Sequence, residues 1–153
     1  MYFLSAHKGE EMLNLDYERA RRRAMLNRLK SVILRRPSSL VSLAEAKRGH
    51  ALAGQVYGGV RQVCVDRIVG SVGRSREFDR NFNPLTNNTR QRWARINQAF
   101  LNDEVLPPVE LQKVGDSYFV KDGHHRVSVA KYHGTAYIDA EVSEYLLADE
   151  AAA

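Results

Sequence analysis

The run Tyr118-Phe119-Val120-Lys121-Asp122-Gly123-His124-His125-Arg126-Val127-Ser128-Val129-Ala130 decides how this chain is read. Its opening residues suit a strand and Asp122-Gly123 a tight polar turn. His124 to His133 then suit a short helix that buries Val127 and Ala130 and closes at Gly134, where helices favour a left-handed residue. The first turn of a helix leaves N–H groups unpaired and carries the positive end of the dipole, so it attracts anions. His124, His125 and Arg126 crowd more donors into that turn, which is unfavourable for a bare helix and sensible for holding phosphate. Arg126 can grip a phosphate with two N–H groups, and either histidine can move a proton near neutral pH. Gly123 lets a ligand come close to the backbone. Asp122 can cap the helix, orient a histidine or bind Mg²⁺. The plainer alternative makes Asp122 an N-cap and pairs the cations with acids such as Asp116 or Glu141.

Around this run the pattern is mixed α and β. Leu106-Pro107-Pro108 breaks the chain, and Val109–Val114 with Ser117–Lys121 form a hairpin about Gly115-Asp116. One member of the Tyr118-Phe119 pair is expected to face inward, as alternation along a strand requires. A helix over about Thr89–Leu101 puts Trp93, Ile96 and Phe100 on one face. Gln62–Asp66 is a short strand and Ala136–Val142 a final one. Between them, Ile68-Val69-Gly70-Ser71-Val72-Gly73-Arg74 sets two glycines about Ser71, a pattern able to offer backbone donors to an anion. Glu77 and Asp79 follow as possible bases or metal ligands, with Arg74 or Arg80 as equally plausible ion-pair partners for Glu77.

The N-terminal part is basic. Residues 1–95 hold 19 Lys and Arg against 8 Asp and Glu, and the rest hold 4 against 10, for a net charge of +5. Eight cations between Arg19 and Arg36 meet no acid. Asp16 can cap a helix running to about Arg35, with Met25 or Leu26, Leu29, Val32 and Ile33 as its apolar stripe, before Pro37 stops it. Arg21, Arg22 and Arg28 are its candidate nucleic-acid contacts, so DNA is one possible partner. The plainer reading is a solvated face, or a helix docked on the acidic half of its own chain or of a second copy. The stripe also fits self-association as a homodimer. Ser42 and Glu45 have capping-box spacing, and Gly49, Gly54, Gly58 and Gly59 read as a loose connector.

A length of 153 residues, with 44% hydrophobic and 27% charged content, suits one globular unit. No apolar run approaches the roughly 20 residues that cross a bilayer, so no membrane partner is expected. The single cysteine, Cys64, excludes an internal disulfide and suits a reducing, cytoplasmic setting. His124, His125 and His133 lack a zinc-ligand spacing, and neither haem nor flavin is expected.

On Leu106-Pro107-Pro108-Val109-Glu110-Leu111, the hairpin, Asp122-Gly123-His124-His125-Arg126 and the following helix, the chain resembles the ParB/sulfiredoxin-like superfamily over roughly residues 63–144. In sulfiredoxins the turn reads Gly-Cys-His-Arg with a nucleophilic cysteine. Here His124 stands in that place, so sulfiredoxin chemistry is not expected. ParB partition proteins bind CTP phosphates on Gly-Glu-Arg-Arg, which Gly123 and Arg126 match. The Asp-Gly-His-x-Arg form is similar to the free-serine kinases of the superfamily, matched by Asp122, Gly123, His124 and Arg126. The resemblance implies an α+β fold: a basic helical extension and connector over 1–60, a ParB/sulfiredoxin-like domain over 61–148, and a tail. It implies a nucleoside di- or triphosphate with Mg²⁺ on Ser71, Gly73, Arg74 and residues 122–126, with Glu77 and His124 as candidate catalytic groups for hydrolysis or phosphoryl transfer. The alternative is a DNA-binding, partition-type or regulatory module without catalysis. Against operator binding by this chain alone, no helix-turn-helix follows the ParB-like region.

Overall fold

The hairpin forms as its turn residues dictate, with β4 (Val109–Val114) and β5 (Ser117–Asp122) antiparallel in register Val114 to Ser117. The structure, a computed structural model, describes residues 2–73 and 76–151, so Arg74 and Ser75 lie outside it. Further along are α4 (His124–Tyr132), β6 (Tyr137–Leu147) and the short α5 (Ala148–Ala151). Upstream are α1 (Tyr2–Leu34), β1 (Val41–Ser42), α2 (Leu43–Lys47), β2 (Leu52–Cys64), β3 (Ile68–Ser71) and α3 (Arg90–Leu101). Among the described residues the strands make one six-stranded mixed sheet in the order β1-β3-β5-β4-β6-β2. The fold is therefore mixed α and β, with a long N-terminal helix. No helix among the described residues is long and apolar enough to cross a membrane.

Both faces of the central strands are buried. Val120, Val109, Leu111 and Val142 join Val127 of α4 and the rings of Phe78 and Phe82 in the largest cluster. Phe119 faces the other way, into a smaller cluster with Leu43 of α2 and Val114. Tyr118 and Phe119 are thus both buried, on opposite faces. The expectation of one inward aromatic failed because α2 roofs the second face. The neighbouring strands explain Gly70: a Cβ there would lie 2.1 Å from Val41 O and 2.7 Å from the Phe119 ring. β1 and β5 flank β3 too closely for a larger residue.

The capping box forms as the spacing predicts, Ser42 Oγ accepting from Glu45 N while Glu45 accepts from Ser42 N. The stretch read as a loose connector is instead β2, paired with β6 from Leu52 to Cys64 with two irregularities. It runs across residue 60, where the extension was expected to end. Its glycines are tolerated because β6 supplies a long antiparallel partner and because β2 is an edge strand, largely exposed.

The N-terminal helix also departs from expectation. It starts far ahead of Asp16, which sits mid-helix and caps nothing. Asp16 accepts instead from Asn97 Nδ2 at 3.0 Å and from Tyr132 Oη at 2.9 Å. The buried side of α1 carries Tyr17, Ala20 and Ala24, not the expected stripe. Val32 and Ile33 are 72% and 79% exposed, and Met25, Leu26 and Leu29 are exposed too. Small residues at 20 and 24 let the helix approach closely while Tyr17 packs on Trp93 in a cluster with Val129. The larger aliphatics are left on the outside.

Candidate functional site

Gly123 begins the site, though not for the expected reason. Its φ of 96° favours glycine, and a Cβ would lie 2.6 Å from Val109 Cγ1. Packing on β4, rather than room for a ligand, demands the glycine. It is also the N-cap of α4, and no side chain caps the helix there. Asp122 therefore does not cap. It forms an ion pair with Arg126 at 2.8 Å, one helical turn on.

Arg126 is tethered further. Its Nη1 donates to the carbonyls of Pro107, at 2.5 Å, and Pro108, at 2.9 Å. The guanidinium so holds the Leu106-Pro107-Pro108 segment against α4. It lines a separate cavity of about 280 Å³ with Phe100, Tyr137 and Asp139.

His124 and His125 are both buried against the fully buried Phe78 ring. His124 stacks on it at 6.2 Å between centroids, and His125 meets its edge at 5.4 Å. Ser71 Oγ lies 2.7 Å from His124 Nε2, linking the end of β3 to the first turn of α4. Ser71 Oγ also accepts from Gly73 N at 3.2 Å. The sequence-predicted residues Ser71, Gly73, Gly123 and His124 therefore converge. Arg74, expected beside them, lies outside the described residues.

The open part of the site is a cleft of about 380 Å³ bordered by Glu77, Thr89, Arg92, Arg95 and His125. Glu77 makes no ion pair with Arg80. Its Oε2 is buried with no hydrogen-bond partner among the described residues. Arg92 and Arg95 lie on one face of α3 and have no carboxylate within ion-pair distance among the described residues. Two guanidinium groups, an imidazole and the N-terminal end of α4 thus meet one carboxylate around one opening. Such a setting attracts an anion and leaves a hard oxygen ligand beside it.

Sequence reasoning missed Arg92 and Arg95. The only available signal was their spacing of three, which sets both on one helix face while Trp93 and Ile96 take the other.

The helix α1 braces this wall. Tyr17 Oη donates to Thr86 O at 2.5 Å and lies 3.1 Å from Thr89 Oγ1, Arg21 donates to Asn87, and Arg90 pairs with Glu18. Arg21, expected as a nucleic-acid contact, is thus engaged within the chain, while Arg22 and Arg28 are exposed. Comparison with protein-family models, curated proteins and solved structures finds no match to this chain.

Proposed function

We propose that this chain is a ParB/sulfiredoxin-like domain that binds a nucleoside di- or triphosphate in the cleft between α3 and the first turn of α4. The observation that carries the reading is the gathering of Arg92, Arg95, His125 and Glu77 at the N-terminal end of α4. Arg92 and Arg95 neutralise phosphate oxygens, and His125 with the first-turn N–H groups of α4 completes the anion's surroundings. The donor set suits magnesium as the nucleotide's counter-ion. Glu77 would hold the metal through the carboxylate oxygen that lacks a donor, or take the proton from an attacking hydroxyl. His124, held against Ser71, positions the turn. Arg126 supports the site by anchoring Pro107 and Pro108.

The test is a thermal-shift panel of CTP, ATP, ADP and GTP, each with and without Mg²⁺, because a ligand that binds only the folded state raises the midpoint. The wild type should shift with a subset of nucleotides, and the double variant Arg92→Gln/Arg95→Gln should lose that shift. Absence of a shift with every nucleotide overturns the reading. Release of inorganic phosphate from the stabilising nucleotide, abolished by Glu77→Gln, would mark the protein as an enzyme. Binding with neither phosphate release nor transfer to an added hydroxyl acceptor would make it a regulatory module.

A further inference from the structure

A larger cleft lies elsewhere, between α1 and the C-terminal end of α4. It measures about 640 Å³, and its walls carry Arg23, Lys30 and Lys131 with the side chains of Asn27 and Asn81. A second cleft of about 550 Å³ adjoins it through Asn27, Lys30 and Asn81 and adds Arg36 and Arg80. Together they form one groove bordered by five cations. Two carboxylates reach it, Asp66 and Asp79. Asp79 is already satisfied, accepting from Asn81 N at 2.9 Å, Asn83 N at 2.8 Å, Asn83 Nδ2 at 3.1 Å and Asn27 Nδ2 at 3.2 Å.

None of the five cations has a carboxylate within ion-pair distance among the described residues. Arg23 lies over the Tyr132 ring, 4.6 Å from its centroid, and donates to Tyr132 O at 3.3 Å. Lys131 is the most telling. Burial pushes its ammonium pKa down, and Asp66 opposes that shift without closing an ion pair. Its Nζ lies over the Phe82 ring, 5.4 Å from the centroid, and a partly desolvated ammonium with no ion-paired carboxylate is unfavourable for the folded chain. An arriving anion would offset that cost, and the neighbouring amides could complete the hydrogen bonds to a tetrahedral oxyanion.

We propose that this groove is a second anion site, separate from the Glu77 cleft, and that its ligand is a phosphate ester or polyphosphate. The inference does not rest on the nucleotide reading above. Two sources carry this chemistry, a free polyphosphate and the phosphodiester chain of a nucleic acid. Five cations spread over two adjoining clefts suit a ligand with several phosphates in a row.

The test titrates the full chain with tripolyphosphate by calorimetry, and with a short fluorescein-labelled DNA strand by anisotropy at several salt concentrations. Lys131→Met and Lys30→Gln should each weaken binding of at least one probe about tenfold, the loss of a hydrogen bond to a charged group. Arg48→Gln, an exposed cation that lines neither cleft, should leave that affinity unchanged. The probe that loses affinity identifies the source. Lys131→Met keeps the aliphatic stem and removes the desolvated charge, so it should melt at or above the wild-type temperature. Lys30 is exposed, and its variant keeps the test valid if the other misfolds. Failure of the wild type to bind either probe overturns the proposal. So does affinity unchanged in both variants, an equal loss in Arg48→Gln, or equal binding of polyglutamate. A nucleotide shift lost only in the Arg92/Arg95 variant reports on the other cleft, so the two proposals fail separately.

Discussion

Tyr17 and Trp93 meet edge to face, their ring centroids 5.7 Å apart at an interplanar angle of 67°, and neither ring is exposed to solvent. Through this contact the N-terminal helix is part of the core. Removing residues 1–36 is therefore expected to uncover Trp93 instead of releasing a stable shorter domain. Trp93 is the only tryptophan in the chain. Its emission should shift to the red in the truncated protein, and Tyr17→Ala should lower stability by about 3 kcal/mol in urea denaturation. Unchanged emission after truncation would refute this account of α1.

Asp79 holds the turn that follows Glu77 and ties it to α1 through Asn27. Replacing it with alanine leaves two backbone N–H groups and two amides without their acceptor. A stability loss of about 3 kcal/mol is expected, with a weaker nucleotide shift because Glu77 lies two residues away. Asn27→Ala, which removes one of the four donors, should cost about 1 kcal/mol. Equal losses in the two variants would count against Asp79 as the organising acceptor.

Gly123→Ala tests the start of α4. The variant must hold a left-handed backbone and push a methyl group into Val109, so a loss of about 2 kcal/mol or more is expected. In a double-mutant cycle, Gly123→Ala should cost less in a Val109→Ala background than in the wild type, because the 2.6 Å approach to Val109 Cγ1 is gone. Additive losses would mean that backbone strain, not the contact with Val109 Cγ1, sets the requirement for glycine.

His133 stacks on Phe100, with ring centroids 4.5 Å apart, and its Nε2 lies 2.6 Å from Asn97 Oδ1. Because Asn97 Nδ2 donates to Asp16, its Oδ1 is the acceptor and His133 Nε2–H the donor. Burial lowers the imidazole pKa below its ordinary 6.5; Asp16 opposes this and Arg23 reinforces it. The folded state thus prefers the neutral ring. Its contribution to stability is present above pH 6.5 and is lost as pH falls through the lowered folded value. Melting temperature should fall over that acidic window in the wild type and fall less in His133→Gln. Identical pH profiles would show that another group governs the window.

Local pattern was enough to read the hairpin, α3, α4 and the Ser42 capping box. Each depends on neighbours within a few residues, through turn chemistry, helical spacing or a cap. It also marked the 122–126 turn, because a strand, a glycine and a basic first turn lie side by side in the chain. Only the tertiary structure decided the rest. Gly54, Gly58 and Gly59 become strand because β6, some 80 residues later, offers a partner, and no local propensity reports that. The buried face of α1 was not legible, since apolar residues recur on more than one side of the helix. The position of Trp93 selected Tyr17 and the small Ala20 and Ala24 over the larger aliphatics. Arg92 and Arg95 look like any solvated helix face in sequence, and they face Glu77 and His125 only once α3 is set beside α4. Arg126 and Asp122 have chemistry compatible with phosphate, and in the fold they pair with each other while Arg126 also donates to two proline carbonyls, contacts that hold the turn. Spacing along the chain determines which groups are neighbours on one element. Which elements meet is set by burial across the whole molecule.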